Sequence, residues 1–141
     1  MYYTQDVEKI VGINSSAMRY YEKEGILPIV KRDKNGNRTY TDENIEWLKF
    51  IKLLRATDMG IEDIKHYVFL FNQGHSTIEK RREILSEHKE SIKNEIKSKL
   101  DCLDQINYKL GVYDELSRNV STDIINKDCL IWPKVQFKVY H

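Results

Sequence analysis

Apolar residues recur along this chain at helical spacing, and interruptions by glycine and proline cut the pattern into elements. Val7, Ile10 and Val11 share one face of a short helix from Gln5 to about Val11. Thr4 is placed to cap it, its hydroxyl accepting from the first free backbone N–H groups, and Gly12 to end it. Asn14 offers a second cap, for a helix from Ser15 to about Glu24 that Gly25 closes. Two short helices joined by a tight glycine turn make a helix-turn-helix. Ile45, Leu48, Ile51 and Leu54 mark a third helix, capped by Thr41 or Asp42 and broken at Asp58-Met59-Gly60. Ile61, Ile64, Val68 and Phe71 mark a fourth, up to Gly74. Between the second and third helices, Ile29-Val30 and Thr39-Tyr40 flank Asn35-Gly36, the strongest short-range hairpin signal. They predict a small two-stranded wing.

Beyond Gly74 the period tightens to heptads. Ile78, Leu85, Ile92, Lys99, Ile106 and Tyr113 fall seven apart, and Arg82, Lys89, Ile96, Leu103 and Leu110 interleave with them. Two apolar positions per heptad form a coiled-coil seam, clean from Ile92 to Tyr113 apart from Lys99. Before Ile92 one register is charged, so the early part pairs less well or packs elsewhere. A lone exposed helix with such a stripe is unstable in water, which implies a partner helix, most simply from a second copy of the chain. From residue 117 the pattern changes again. Trp132-Pro133 precedes a strand-like alternation of Val135, Phe137 and Val139. A tail this apolar is expected to pack on its own or its partner's domain, with part of a small-molecule pocket as the alternative.

The chain has 141 residues, 32% of them charged, a surplus that suits long solvated helices. A formal net charge of +1 excludes a histone-like polycation and an acidic tail protein but leaves room for a local basic patch. Two cysteines are too few for a disulfide framework. The start Met1-Tyr2-Tyr3-Thr4-Gln5-Asp6 has neither the basic residues nor the apolar run of a signal peptide, and no stretch approaches the ~20 apolar residues of a membrane span. A cytoplasmic protein without a membrane partner is expected.

Charge is concentrated in the wing, where residues 29–40 carry Lys31, Arg32, Lys34 and Arg38 against Asp33 alone. The second helix adds Arg19 and Lys23, with Tyr20, Tyr21 and Tyr40 among them. Basic side chains neutralise phosphates and Tyr hydroxyls donate to them. Ser15 and Ser16 stand at a helix N-terminus, where small donors meet phosphates or base edges. The pattern reads as a DNA-binding surface, helix in the major groove and wing on the flanking backbone. The plainer alternative is a solvated face on a helical domain.

Residues 3–74 resemble the DNA-binding domain of the MerR family of transcriptional regulators. The resemblance rests on Tyr3-Thr4, Arg19-Tyr20-Tyr21-Glu22, Gly25-Ile26-Leu27-Pro28, Asn35-Gly36-Asn37-Arg38-Thr39-Tyr40, Ile51…Leu54-Arg55 and Met59-Gly60-Ile61-Glu62-Asp63-Ile64, in order. It implies an all-α winged helix-turn-helix domain (1–74) and a long antiparallel coiled-coil dimerisation helix (75–116); the C-terminal tail (117–141), set off by its change of pattern, falls outside the resemblance. It further implies a homodimer on a pseudo-palindromic promoter operator, distorting that DNA so that RNA polymerase engages both promoter elements. Thr4, Ser15, Ser16, Arg19, Tyr20, Lys23, Arg32, Lys34, Arg38 and Tyr40 are the expected DNA contacts, Arg38 and Tyr40 as braces of the wing against phosphate; Tyr21 points to packing instead. Many members carry Arg or Lys where this chain has Ser16, so a different direct readout is expected. Leu85, Ile92, Ile96, Leu103, Ile106, Leu110 and Tyr113 are the expected dimer seam.

Metal-sensing members place thiolates at the start of the dimerisation helix and beyond its end. Here the start reads His75-Ser76-Thr77, Cys102 and Cys129 are isolated, and the four histidines are scattered. Electrophile-responsive members carry a cysteine in the third helix, where this chain has Leu53. Neither a metal nor a cofactor is expected. Cys102, between Asp101 and Asp104, reads as a small buried or half-buried side chain, and Cys129 is ambiguous as a redox-active thiol. No phosphate loop, nucleophile with a base, or zinc motif suggests an enzyme. A coiled-coil interaction protein without a DNA role is the alternative, and the basic wing argues against it. The effector, a small molecule or stress signal, is not legible. Gly74, between two helices, suggests a hinge through which such a signal alters the spacing of two reading heads.

Overall fold

A computed structural model describes residues 1–118. The elements run β1 (Tyr2–Tyr3), α1 (Thr4–Val11), α2 (Ser15–Lys23), β2 (Lys31–Arg32), β3 (Arg38–Tyr40), α3 (Asp42–Ala56), α4 (Ile61–Asn72), a 3-10 turn (His75–Thr77) and α5 (Ile78–Arg118). The strand-like alternation of Val135 to Val139, the tail's packing and Cys129 lie outside the described residues. The chain separates into two compact units, one of Met1–Ser86 and one beginning at Glu87.

In the first unit the wing has three strands rather than two. Tyr2 and Tyr3 pair antiparallel with Tyr40 and Thr39, and β3 stands between β1 and β2. This pairing also corrects the start of α1. Tyr3 is held extended (φ −95°, ψ 167°), so it is the cap and Thr4 the first helical residue. The Asp6 carboxylate accepts from the Tyr3 N–H at 3.0 Å, in place of the expected Thr4 hydroxyl. Asn14 caps α2 as expected, accepting from the Ala17 N–H at 2.8 Å. At the hairpin tip only Gly36 takes a positive φ. The Gly36 N–H donates to the Asp33 carbonyl at 3.0 Å and the Asp33 N–H to the Asn37 carbonyl at 2.9 Å. The turn is therefore the three-residue kind, a tight turn followed by a left-handed glycine, and not a two-residue Asn-Gly turn.

Helix α3 runs through two apolar clusters and joins them. Ile45 and Leu48 belong to the first, with Val7, Val11, Met18, Leu27, Val30 and Tyr40. Ile51 and Leu54 belong to the second, with Ile26, Met59, Ile64 and Val68. Tyr21 and Trp47 touch both, in keeping with the packing role read for Tyr21. Ile84 and Leu85, on the second and third turns of α5, pack on the second cluster. Leu85, expected at the head of the dimer seam, is thus half-buried against its own chain. The second unit differs: from Glu87, α5 continues as helix, and Ile96, Leu103, Ile106, Leu110 and Tyr113 are each about half exposed. Among the described residues no helix is long and apolar enough to cross a membrane.

Candidate nucleic-acid interface

Helix α2 buries Met18 and turns Ser16, Arg19, Tyr20 and Lys23 to solvent. Positions three and four apart share a helix face, so these four side chains form one stripe. Ser15 is half-buried, its N–H donating to the Glu8 carboxylate at 2.7 Å, so the acid of α1 already holds the start of α2. Arg19, Lys23 and Lys34 are exposed and ion-paired to none of the described residues. The charges of Arg19 and Lys34 are available to an anion, while that of Lys23 is partly offset by the neighbouring Glu24 carboxylate.

The wing is built to a fixed shape beside that stripe. Arg38 Nε donates to Glu22 of α2 at 3.0 Å, and both side chains are largely buried. The pair ties β3 to α2 and satisfies much of the Arg38 charge. Arg38 therefore stands as a brace within the domain more than as a free phosphate donor, and Glu22, absent from the expected site, is its counterpart. Tyr40, also expected at phosphate, is 1% exposed and lies in the first cluster. Its place on β3 turns its ring inward, opposite to what its neighbourhood of basic residues suggested. Thr39, next to it, is also buried and donates its hydroxyl to the Lys31 carbonyl at 3.1 Å. Arg32 donates to the Gly36 carbonyl at 2.7 Å across the tip.

Asp33 organises the turn. It accepts from the Asn35 and Asn37 N–H groups, each at 2.9 Å, and from the Tyr3 hydroxyl at 3.2 Å. The Asn37 N–H, helped by the Asn35 N–H, holds the Asp33 carboxyl below the usual carboxylate range. The hydrogen bond to Asp33 pushes the Tyr3 hydroxyl up. The one acidic residue of the wing is thereby spent on backbone donors. Between the wing and the start of α1 opens a cleft of about 410 Å³, lined by Tyr3, Thr4, Gln5, Arg32, Gly36, Asn37 and Arg38. Thr4 sits in it at the N-terminal end of α1, where the helix dipole favours an anion and the Asp6 carboxylate of the first turn opposes one.

The rear of α2 is anchored by two further contacts that sequence reading did not find. Trp47 Nε1 donates to the Ile26 carbonyl at 2.7 Å, just past the helix. Lys65 of α4 pairs with Glu24, the last residue before Gly25. Lys52 Nζ donates to the Val11 carbonyl at 2.8 Å and so caps the C-terminal end of α1. None of these has a local sequence signal, because each partner is a backbone carbonyl or a charge brought in from another helix.

On α5 the exposed apolar stripe gains Leu100, 54% exposed, next to the charged seam position Lys99. Leu100 lies four residues after Ile96 and three before Leu103, so it shares their face although it falls outside both seven-residue series. Among the described residues no three His, Cys, Asp or Glu side chains form a group that could hold a metal ion. Cys102, expected to be buried or half-buried, is instead an exposed free thiol, because it stands on the solvent-facing part of α5.

Residues 2–68 match the MerR HTH family regulatory protein model, and residues 45–107 the model described as MerR, DNA binding. The chain is 34% identical over 125 residues to an HTH-type transcriptional regulator of Haemophilus influenzae, covering 89% of this chain and 93% of that one. It is 38% identical over 86 residues to the HTH-type transcriptional regulator AdhR of Bacillus subtilis, covering 61% of each. Among solved structures it is similar to HiNmlR, a MerR family regulator lacking the sensor domain and bound to promoter DNA, with a TM-score of 0.80, 34% identity and coverage of 89% and 95%. A MerR family regulator from Listeria monocytogenes gives a TM-score of 0.75 at 27% identity, over 92% and 94% of the two chains.

Proposed function

This chain belongs to the MerR family of transcriptional regulators, and we propose that it binds an inverted-repeat promoter operator as a homodimer. In this reading Ser16, Arg19, Tyr20 and Lys23 enter the major groove or meet its rim, while Lys31, Arg32 and Lys34 reach flanking phosphates. The cleft at Thr4 receives a backbone phosphate. Glu22 and Arg38 set the angle of the wing, and Tyr40 supports it from the core. The apolar stripe Ile92, Ile96, Leu100, Leu103, Ile106, Leu110 and Tyr113 pairs with the same stripe of a second copy, antiparallel. The dimer works in the cytoplasm, distorting the operator so that RNA polymerase engages the promoter, under a small-molecule or stress signal. The observation that carries this reading is the face where Arg19, Lys23 and Lys34 stand exposed and in no ion pair with the described residues while the wing is tied to the same helix by Glu22–Arg38.

The test is selection of bound fragments from genomic DNA, followed by a salt series on the recovered operator. Affinity in the range of about 10⁻⁸–10⁻¹¹ M is expected, selective over random DNA. Arg19→Ala and Lys34→Ala should each weaken binding. Removal of one phosphate-neutralising charge should make the slope of log K against log salt shallower by about 0.9. Equal affinity for random and recovered DNA at the same salt would overturn the proposal.

A further inference from the structure

The junction between α4 and α5 is tied more tightly than two joined helices require. Gly74 has φ 91° and ψ −156°, a conformation in which a side chain is strained whatever the space around it. Its carbonyl oxygen faces three donors: the Thr77 N–H at 3.1 Å, the Thr77 hydroxyl at 2.8 Å and an Arg81 terminal nitrogen at 3.1 Å. Thr77 is 5% exposed, and its hydroxyl also lies 2.6 Å from the Leu70 carbonyl of α4. The same hydroxyl oxygen accepts from Arg81 Nε at 3.1 Å. The Arg81 guanidinium stands 5.2 Å from the centre of the Phe71 ring. Two side chains, Thr77 and Arg81, thus join the last turn of α4, the glycine and the first turn of α5 in one hydrogen-bonded knot.

The knot is continuous with the reading helix. The Phe71 ring lies 4.8 Å from that of Trp47, and Trp47 donates to the Ile26 carbonyl three residues past α2. Phe71 to Ser76 are exposed, yet the Gly74 carbonyl among them is engaged by three donors, where a freely moving hinge would leave it to solvent.

We propose that Thr77 and Arg81 are positioning residues that fix the direction in which α5 leaves the DNA-reading unit, and with it the half-site spacing the dimer accepts. The inference rests on the dimeric operator reading above. Leverage makes it consequential. A helix of 41 residues is about 60 Å long at 1.5 Å per residue, so a tilt of about 5° at its base moves its far end by about 5 Å. One base-pair step is about 3.4 Å. Small looseness at Gly74 is therefore enough to blur discrimination by one base pair, and the knot removes it.

The experiment uses the full chain and an operator recovered by the wild type from a randomised library, with its spacer lengthened or shortened by one and two base pairs. The wild type is expected to lose about tenfold or more in affinity per base pair of wrong spacing. Thr77→Val keeps the shape and removes the hydroxyl; it and Arg81→Ala should flatten that profile to within about threefold. Affinity for a single half-site, helix content and dimer mass should stay at wild-type values. Thr77→Ser, which restores the hydroxyl, should restore the profile. If Thr77→Val does not fold, Arg81→Ala, half-buried and outside the core clusters, carries the same comparison. A profile as steep in Arg81→Ala as in the wild type, an equal loss at every spacing, or a wild type indifferent to spacing would each overturn the inference while leaving operator binding intact. A wild type that recovers no operator would overturn the DNA reading itself, and this inference with it.

Discussion

The two units of this chain bury their apolar residues in different ways. In Met1–Ser86, Val7, Ile26, Leu48, Ile51 and Ile64 are fully buried within one copy, around a helix that serves two clusters. From Glu87 onward the apolar residues of α5 lie on a stripe, and Ile96 and Ile106 remain 55% and 57% exposed. Among the described residues, the first unit satisfies its own hydrophobic surface, whereas the second presents an apolar stripe of the kind that a matching helix covers in a coiled coil. In the proposed dimer, stability and association are therefore separable, one residing in Met1–Ser86 and the other in the stripe of α5.

Striking each side in turn puts that separation under the greatest strain. Leu48→Ala removes a fully buried side chain from the first cluster and should cost about 2–5 kcal/mol in urea unfolding. That is a large share of a small domain's stability. A loss below about 1 kcal/mol would mean that the reading unit does not depend on its own core. Leu103→Glu places a charge in the middle of the stripe and should weaken the dimer by about 100-fold, equivalent to about 2.7 kcal/mol, as read by sedimentation. The melting of the reading unit, followed at a concentration where the chain is monomeric, should not move. A dimer that survives the change would show that association runs through another surface.

How much of this division was legible in the sequence follows from the range of each interaction. Periodicity located α1 to α4 and the long helix, because the 3.6-residue repeat is local. Asn14 and Thr41 were readable as caps for the same reason, and the latter holds the Asn44 N–H at 3.2 Å. Strand β1 was not legible: two residues give no alternation, and Tyr2-Tyr3 becomes a strand only because Tyr40 and Thr39 are there to pair. Tyr40, for which the family motif implied a place against phosphate, is 1% exposed, because a matched motif names the residue and not the face of the strand it stands on. Glu22 and Arg38 both stood in the family-like motifs, yet their pairing spans 16 positions and needed the fold. On α5 the strict heptad count placed Leu85 in the seam, where it packs on its own chain, and overlooked Leu100.

A smaller effect probes how the reading unit holds its helix-turn-helix. Gly12 has φ 76°, and a Cβ there would lie 2.7 Å from Lys52 Nζ, the group that caps α1. Gly12→Ala should cost about 1–2 kcal/mol from the left-handed backbone, with further loss as Lys52 is displaced. Combining it with Lys52→Ala separates the two, because the backbone part persists when the lysine is gone. Full recovery in the double variant would assign the whole effect to the contact.

The smallest expected effect concerns acid, and it too belongs to the reading unit. The Lys65 ammonium, by hydrogen bond and charge, holds the Glu24 carboxyl below its ordinary value of 4.5, and Glu24 in turn raises Lys65. Asp33 is held below its ordinary 3.8, chiefly by the Asn37 N–H. A carboxyl whose folded pKa is depressed binds its proton more readily in the unfolded chain. Its contribution is therefore present in full above the unfolded value and is lost as pH falls from there through the folded value. Both groups act below about pH 4.5, and Lys65, raised from 10.5, stays charged throughout that window. Both are solvent-accessible, so screening keeps the effect small. Urea midpoints measured from pH 6 to pH 3 should fall for the wild type and fall less for Glu24→Gln, whose midpoint at pH 6 is already lower. Raising the salt concentration should narrow the difference between the two proteins at pH 6, since the link is partly coulombic. Parallel curves at all pH values would mean that the α2–α4 link contributes nothing, and that the reading helix is held in place by Trp47 and the core alone.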